Sequence, residues 1–356
     1  LGHTGSDHRV GRMKMAAATQ SVTPTLPASA YTSAETWRLE QARIFEQSWL
    51  CVGHALEVPE TGDAVPFEFA GWRLIIVRDA DGRIHAFHNV CRHRAGPLLW
   101  SDEGGVRGLR HLQCRYHGWR YALDGRRVAS PAFGARLPDG LGLIRVPLAT
   151  WRGLLFVWLG SSPAVSFDGW IAPLDAETPD ILGGLSLHRR EKHLLECNWK
   201  VYVENYLEGY HIPWMHPALS AEVELARYRV HPGERLVRHA VPTDRDGPNE
   251  GLWIWFWPSL ALNVYGGGVS IERVVPVGPT QTRVDYLYLF REEAGVDKDA
   301  ALAMSRSVTA EDVRICESVQ QGLASGAVPT GLLSPRHEQG VKAFQDLVRD
   351  AWSETR

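Results

Sequence analysis

Glu204, Asn205, Glu208, His211 and His216 fall within one short stretch of this chain, and their types and spacing could bind a metal. Two neutral imidazoles aimed at one point are a metal-site signature, because neutral histidine is the commonest metal ligand. Two histidines plus one carboxylate, with positions left open, suit a non-haem Fe(II) that activates O2. A zinc hydrolase would instead carry histidines at i and i+4 with a glutamate between them, which this stretch does not. The competing reading is a pair of core histidines bonded to backbone. At helical spacing Asn205, Glu208 and His211 share a face, since residues three apart are surface neighbours. His211 and His216 are about 140° apart on an ideal helix, so they converge only where the helix ends or distorts. Pro213 is the expected cause, because proline removes a backbone donor and crowds the preceding turn.

A second constellation lies upstream. Cys91-Arg92-His93 and Cys114-Arg115-Tyr116-His117 each put one thiol and one imidazole on a tight loop. Two thiolates and two imidazoles can hold a [2Fe-2S] cluster in which histidines replace cysteines on one iron. The same ligand types build structural zinc sites, but those usually pair Cys with Cys and His with His along the chain. The carboxylate that would complete the first site must come from far along the sequence. Residues 300–323 read as a helix with Val308, Ile315, Cys316, Val319 and Leu323 as its apolar stripe. Asp312 falls on that stripe and Glu311 about 100° off it. A buried carboxylate must be paired or bound to metal, so Asp312, not Glu311, is the expected ligand; a buried salt bridge is the alternative.

The elements that must position these groups divide the chain. Residues 1–30 read as an expression leader and polar start, which removes His3 and His8 from consideration. A helix over 33–46, within a segment 31–48 that packs on the catalytic half, precedes a first domain over 49–160. There, short β-rich runs (50–52, 64–69, 72–78, 84–89) are separated by Gly, Pro and Asp turns, and Asp124-Gly125 is a hairpin turn. Residues 161–179, rich in Pro, Ser, Ala and Asp, read as the linker into a second domain over 161–356. Its strands are expected at 252–257, 260–265, 269–276 and 282–290, the last alternating through Val284, Tyr286, Tyr288 and Phe290. Trp253, Trp255, Phe256 and Trp257 are candidate pocket walls, suited as a cage to a quaternary ammonium or as a flat slot to an arene.

Composition sets limits. At 356 residues two domains are expected. The net charge of −3 gives no reason to expect a nucleic-acid partner. No apolar run approaches the ~20 residues that span a bilayer. Five cysteines without a disulfide pattern fit a reducing cytosol better than secretion.

Cys-Arg-His-Arg…Cys-x-Tyr-His-Gly-Trp is similar to the Rieske motif. With the His211/His216 stretch and Asn198-Trp199-Lys200 ahead of it, the chain from about residue 31 to 350 resembles the catalytic α subunit of Rieske non-haem iron oxygenases. The resemblance implies an α+β chain: a small all-β Rieske [2Fe-2S] domain joined to a helix-grip catalytic domain, an antiparallel sheet on a long helix. It implies a cluster on Cys91, His93, Cys114 and His117, and an Fe(II) on His211, His216 and Asp312, the last matching the family's Glu-Asp-x-x-Ile-Cys-Glu pattern. It maps onto Glu208 the acid that bridges to a neighbouring subunit's cluster, beside His211 and facing His117. Most members carry Asp there, and Glu is similar to members that oxidise quaternary ammonium compounds such as carnitine. It implies O2 as co-substrate, a reductase or ferredoxin as electron donor, a small-molecule substrate and a head-to-tail homotrimer. Monooxygenation is expected over cis-dihydroxylation of an arene. A reading from another class is an electron carrier with a cluster and no mononuclear iron. Two departures stand out: a twenty-residue spacer between His93 and Cys114, with 101–108 as a loop insertion, and Arg115 where the family commonly has proline. Eight arginines lie between 92 and 127, against Asp102, Glu103 and Asp124; they form either a solvated surface or a docking patch for an acidic donor.

Overall fold

The structure, a computed structural model, describes residues 22–102, 104–178, 182–241, 251–265, 267–292, 295 and 297–353. The leader up to residue 21, and Glu103, lie outside the described residues. Residues 22–30, read above as part of that leader, instead belong to the fold. Thr23–Pro24 pairs with Leu332–Leu333, and the Leu26 amide donates to Gln345 Oε1 at 3.0 Å. A proline-rich start hides this attachment, because two residues of strand carry no periodicity.

Two short helices follow, α1 (Ser29–Thr32) and α2 (Ala34–Arg43). Ser33 starts α2 by accepting from the Glu35 and Thr36 amides at 3.1 and 3.3 Å. The front half is three small antiparallel sheets. One orders Ala64–Phe69, Trp72–Arg78, Ile84–His88 and Arg145–Val146. A second joins Leu148–Trp151, Leu154–Trp158 and Trp49–His54. The third, Leu112–Gln113, Arg120–Tyr121 and Arg127–Ala129, carries the second Cys/His loop. Ile75, Val77, Phe87, Leu98, Trp119 and Tyr121 pack together with Cys91 and Cys114 in a small core of their own. At the Asp124-Gly125 turn Gly125 has φ +85°, and a Cβ there would meet the Phe87 ring at 2.4 Å, so the turn needs glycine.

The expected linker contains a helix, α3 (Phe167–Glu177). Ser166 caps it, accepting from the Gly169 amide at 3.2 Å, and it buries Trp170, Ile171 and Leu174. Phe167 packs on Trp49 and Trp170 on Phe256, so α3 ties the two halves together. The i, i+1, i+4 apolar triplet was obscured by the surrounding Pro, Ser and Asp.

The back half is a seven-stranded antiparallel sheet in the order Ser186–Leu195, Gln281–Phe290, Gly268–Gly278, Leu260–Tyr265, Gly251–Phe256, Leu236–Val241, Arg229–Gly233. Against it lie α4 (Trp199–Tyr206), the long α7 (Lys298–Ala324) and the terminal α8 (Gln339–Ser353), while the short α5 (Ile212–Met215) and α6 (Pro217–Glu222) pack on each other and α6 on α7. This is the mixed α and β, helix-on-sheet architecture expected. Central strands are buried on both faces, so the alternation read at 282–290 describes direction rather than exposure. On α7 the fully buried positions are Leu302, Thr309, Cys316 and Gln320; Val319, assigned to the apolar stripe, is exposed. The N-terminal segment is held to α4 by a buried ion pair. Lys200 Nζ meets Glu40 Oε1 at 2.5 Å with neither side chain exposed, and Trp199 Nε1 donates to Glu40 Oε2 at 2.8 Å.

Candidate functional site

Asn198 starts α4, its side chain accepting from the Lys200 amide at 3.0 Å. The helix then stops at Tyr206, with the Leu207 amide closing on Val203 and Glu204 carbonyls. Asn205, Glu208 and His211 therefore do not share one helix face, contrary to expectation. The break comes at residues 207–209, where Gly209 lies so close to Tyr228 that a Cβ would meet the ring at 2.3 Å. Pro213 does not cause the break. It sits in the first turn of α5, where a missing N–H costs nothing. His211 precedes α5; His216 ends it and precedes Pro217, which opens α6.

The break aims both rings at one point. His211 Nε2 and His216 Nε2 are 3.1 Å apart. Asp312 Oδ1, from α7, lies 3.1 Å from His216 Nε2 and 3.9 Å from His211 Nε2. These three donor atoms all lie within 4.8 Å of one another. The far side of each ring is occupied: His211 Nδ1 meets Glu208 Oε1, and His216 Nδ1 meets Glu311 Oε2 at 2.6 Å. When each neutral ring gives its Nδ1–H to the carboxylate behind it, both Nε2 atoms carry lone pairs, and two nitrogens and a carboxylate oxygen then converge on one point. That arrangement is repulsive unless a cation sits in its centre, so the residues fit a metal ion. The same demand shows in His216: burial opposes its charged form, yet the Asp312 and Glu311 carboxylates hold its pKa above the ordinary imidazole value. Asn205 Nδ2 donates to Asp312 Oδ1 at 2.7 Å, fixing the carboxylate.

Glu311 is the residue that sequence reasoning set aside. It was excluded as off the buried face, and its backbone position is; but a ligand histidine needs an acceptor behind it, and the acid next to Asp312 reaches round to supply one. The signal was the adjacent acid pair itself.

In the front half Cys91 and Cys114 are buried, His93 is half-buried and His117 exposed. The His93 and His117 ring centroids are 4.6 Å apart. His93 stacks on Trp119 at 4.9 Å and 7°, and its Nδ1 is buried without a hydrogen-bond partner. Tyr121 Oη lies 3.2 Å from Cys91 Sγ, and the Tyr116 amide points at Cys114 Sγ from 3.5 Å. A Cβ on Gly96 would meet Cys114 Sγ at 3.0 Å and Tyr116 Cβ at 2.9 Å, so this glycine keeps the sulfur's surroundings open. Among the described residues, these four do not draw together within 4.8 Å as the triad does. A single zinc bonding all four at 2.0–2.3 Å would require that; a two-iron cluster would not. The donor set fits [2Fe-2S].

Trp255, Phe256 and Trp257 are core; Trp255 packs edge-on to Phe344 at 5.4 Å. Only Trp253 is less buried, facing Tyr228 and His239. Of the eight arginines, Arg107 pairs with Asp63 at 2.8 Å and bonds the Glu57 carbonyl, so it is structural. His54 caps a turn by accepting from the Leu56 amide at Nδ1.

Residues 48–151 match the family model of the Rieske [2Fe-2S] domain, and residues 182–354 that of the ring hydroxylating alpha subunit catalytic domain. The chain is 31% identical to a chloroplastic choline monooxygenase of Beta vulgaris over 342 residues, covering 90% of this chain and 75% of the relative. It is 31% identical to the carnitine monooxygenase oxygenase subunit of Escherichia coli K12 over 326 residues, covering 85% and 84%. The crystal structure of the quaternary ammonium Rieske monooxygenase CntA in complex with L-carnitine superposes with a TM-score of 0.83 at 26% identity, covering 93% of this chain and 96% of that one.

Proposed function

The chain belongs to the ring-hydroxylating α-subunit family with a Rieske [2Fe-2S] domain, and from that premise we propose that it monooxygenates a quaternary ammonium compound. The family is one of oxidoreductases; its front domain holds a [2Fe-2S] cluster and its catalytic domain a mononuclear iron. When bound, the cluster supplies single electrons and the iron supplies O2 activation at its open positions. The observation that carries the reading is the convergence of His211, His216 and Asp312, each backed by its own partner, in a chain whose relatives are named for choline, carnitine and glycine betaine.

The roles follow from contacts. His211, His216 and Asp312 would hold the iron; Cys91, His93, Cys114 and His117 would hold the cluster. Glu208 and Glu311 accept from the Nδ1 atoms of His211 and His216, which fixes both tautomers with Nε2 toward the metal. Asn205 holds Asp312 Oδ1 in place. Glu208 has a second role in this reading: it carries the path from a facing His117 to His211. His117 is exposed, as is Tyr116 beside it, which suits a cluster edge turned toward another subunit. A head-to-tail contact that closes makes a ring, so the proposed assembly is a homotrimer fed by a reductase or ferredoxin. Residues 49–160 would form the electron-entry unit and 161–356 the catalytic unit. Five free cysteines fit a cytoplasmic setting; among the described residues no helix is long and apolar enough to cross a membrane.

The test is turnover of a mixed panel of methylammonium compounds and aromatic acids with a surrogate reductase, with products identified by mass. Oxidation of a quaternary ammonium compound is expected; exclusive dihydroxylation of an arene would refute the reading.

A further inference from the structure

One sheet face lies against α4 and α7, and it is polar where a core would be apolar. Register places Trp253, Asn263, Ser270 and Tyr288 in one row across four strands, and Trp255, Ala261, Glu272 and Tyr286 in the next. Glu272 is 3% exposed. Its Oε2 accepts from Asn263 Nδ2 at 3.2 Å, while its Oε1 is buried and takes no hydrogen bond of good geometry. Among the described residues no lysine or arginine forms an ion pair with it; the adjacent Arg273 turns to Asp285, 3.5 Å away. Burial pushes the Glu272 carboxyl up to about 7, against the lowering pull of the Tyr202 hydroxyl and the Asn263 amide.

This carboxylate lies beside the mononuclear metal site. Tyr286, its cross-strand neighbour, meets the Tyr202 hydroxyl at 2.9 Å and accepts from Thr309 Oγ1 at 3.2 Å. Thr309, which bonds Tyr286, precedes Asp312 by three residues, about one helical turn or ~5 Å; Tyr202 stands the same distance before Asn205, whose amide holds Asp312. From the other side, Tyr206 donates to Asn263 Oδ1 at 2.7 Å. Glu272 thus lies among the side chains of Tyr202, Tyr206 and Tyr286, near enough to Asp312 for that carboxylate's charge to act on it.

A buried carboxylate without a partner is costly and either takes up a proton or meets an opposite charge, so a bound cation would favour the charged form of Glu272, whose second oxygen has no well-formed hydrogen bond. A quaternary ammonium has no N–H to donate. It is held by opposite charge and by aromatic faces, and a carboxylate oxygen that lacks a donor is matched to it. We infer that Glu272 is a specificity-determining residue, supplying the counter-charge for a quaternary ammonium headgroup held against Tyr202, Tyr206 and Tyr286. This rests on the quaternary-ammonium reading above.

Calorimetric titration of the anaerobic holoenzyme tests it. The probes are choline and glycine betaine, each against its carbon isostere, 3,3-dimethyl-1-butanol and 3,3-dimethylbutanoate. Wild type is expected to bind the better of the two cations at least about tenfold tighter than its isostere. Glu272→Gln should weaken the cation on the order of 10- to 100-fold while moving the isostere by no more than about twofold. Its unliganded melting temperature should equal or exceed wild type, since an unpaired buried charge has gone. Wild type without any preference for the cation overturns the reading and the inference together. A preference that survives in Glu272→Gln overturns the inference alone, as does loss of cation and isostere alike. Should Glu272→Gln not fold, Glu272→Met carries the same comparison.

Discussion

Each imidazole of the triad is backed by its own carboxylate, and the two carboxylates differ in what else they can do. Glu311 only holds His216. Glu311→Gln keeps the shape but turns an acceptor into an ambiguous partner, so iron affinity should fall on the order of 10- to 100-fold while the cluster is untouched; titration of the apo-site with Fe(II) measures this, and unchanged affinity would make Glu311 a bystander. Glu208 holds His211 and, in the proposed reading, also carries the electron path. Glu208→Gln should therefore leave both metals bound and still cut coupled turnover on the order of 100-fold. Near-normal turnover with full iron would remove Glu208 from that path. Asp312→Ala should empty the mononuclear site alone, leaving two irons of the cluster, as read by metal analysis with EPR.

At the scale of elements, the site depends on where α4 stops. Its start is fixed by Asn198 and its flank by the Glu40–Lys200 pair, which is buried on both sides. Glu40→Ala leaves the Lys200 ammonium buried without its partner, which typically costs about 3–5 kcal/mol; chemical denaturation should record a loss of that order, and a loss under about 1 kcal/mol would mean that the pair contributes little. Much at this scale was legible in the sequence. The strands at 64–69, 72–78 and 260–265 were bounded correctly, because alternation and turn residues bracket them. The break in the metal-binding stretch was foreseen, but its place was not: Pro213 is the strongest local signal, whereas the actual stop depends on Gly209 fitting against Tyr228, a residue from a distant segment. The helix α3 was missed for a related reason, since its buried triplet has meaning only against Trp49 and Phe256. Cysteine and histidine spacing pointed to both proposed donor sets; Glu311 and Glu272 stayed hidden because what each one faces is decided by tertiary packing.

At the scale of the whole molecule, two consequences follow. The first concerns pH. Burial, and secondarily His231, pushes the His239 imidazole down to about 3 from its ordinary 6.5. The unfolded chain binds this proton first, so the contribution of neutral His239 is complete above 6.5 and is lost as pH falls from there toward 3. Wild type and His239→Gln should therefore draw together in stability by about 1.4 kcal/mol per pH unit below 6.5; a pH-independent difference would contradict a neutral buried ring. The second concerns assembly. If electrons cross between subunits, mixing Cys91→Ala with Asp312→Ala subunits should restore activity that neither has alone, and an active monomer on ultracentrifugation would refute the ring. The inter-subunit path depends on iron of two kinds in one chain. The most direct measurement is iron and zinc content of the purified protein together with the EPR spectrum of its reduced form. Three irons per chain, two in the cluster and one outside it, with a Rieske-type signal are expected. Two irons without a mononuclear site would leave only an electron carrier, and zinc in a colourless, EPR-silent protein would contradict the account entirely.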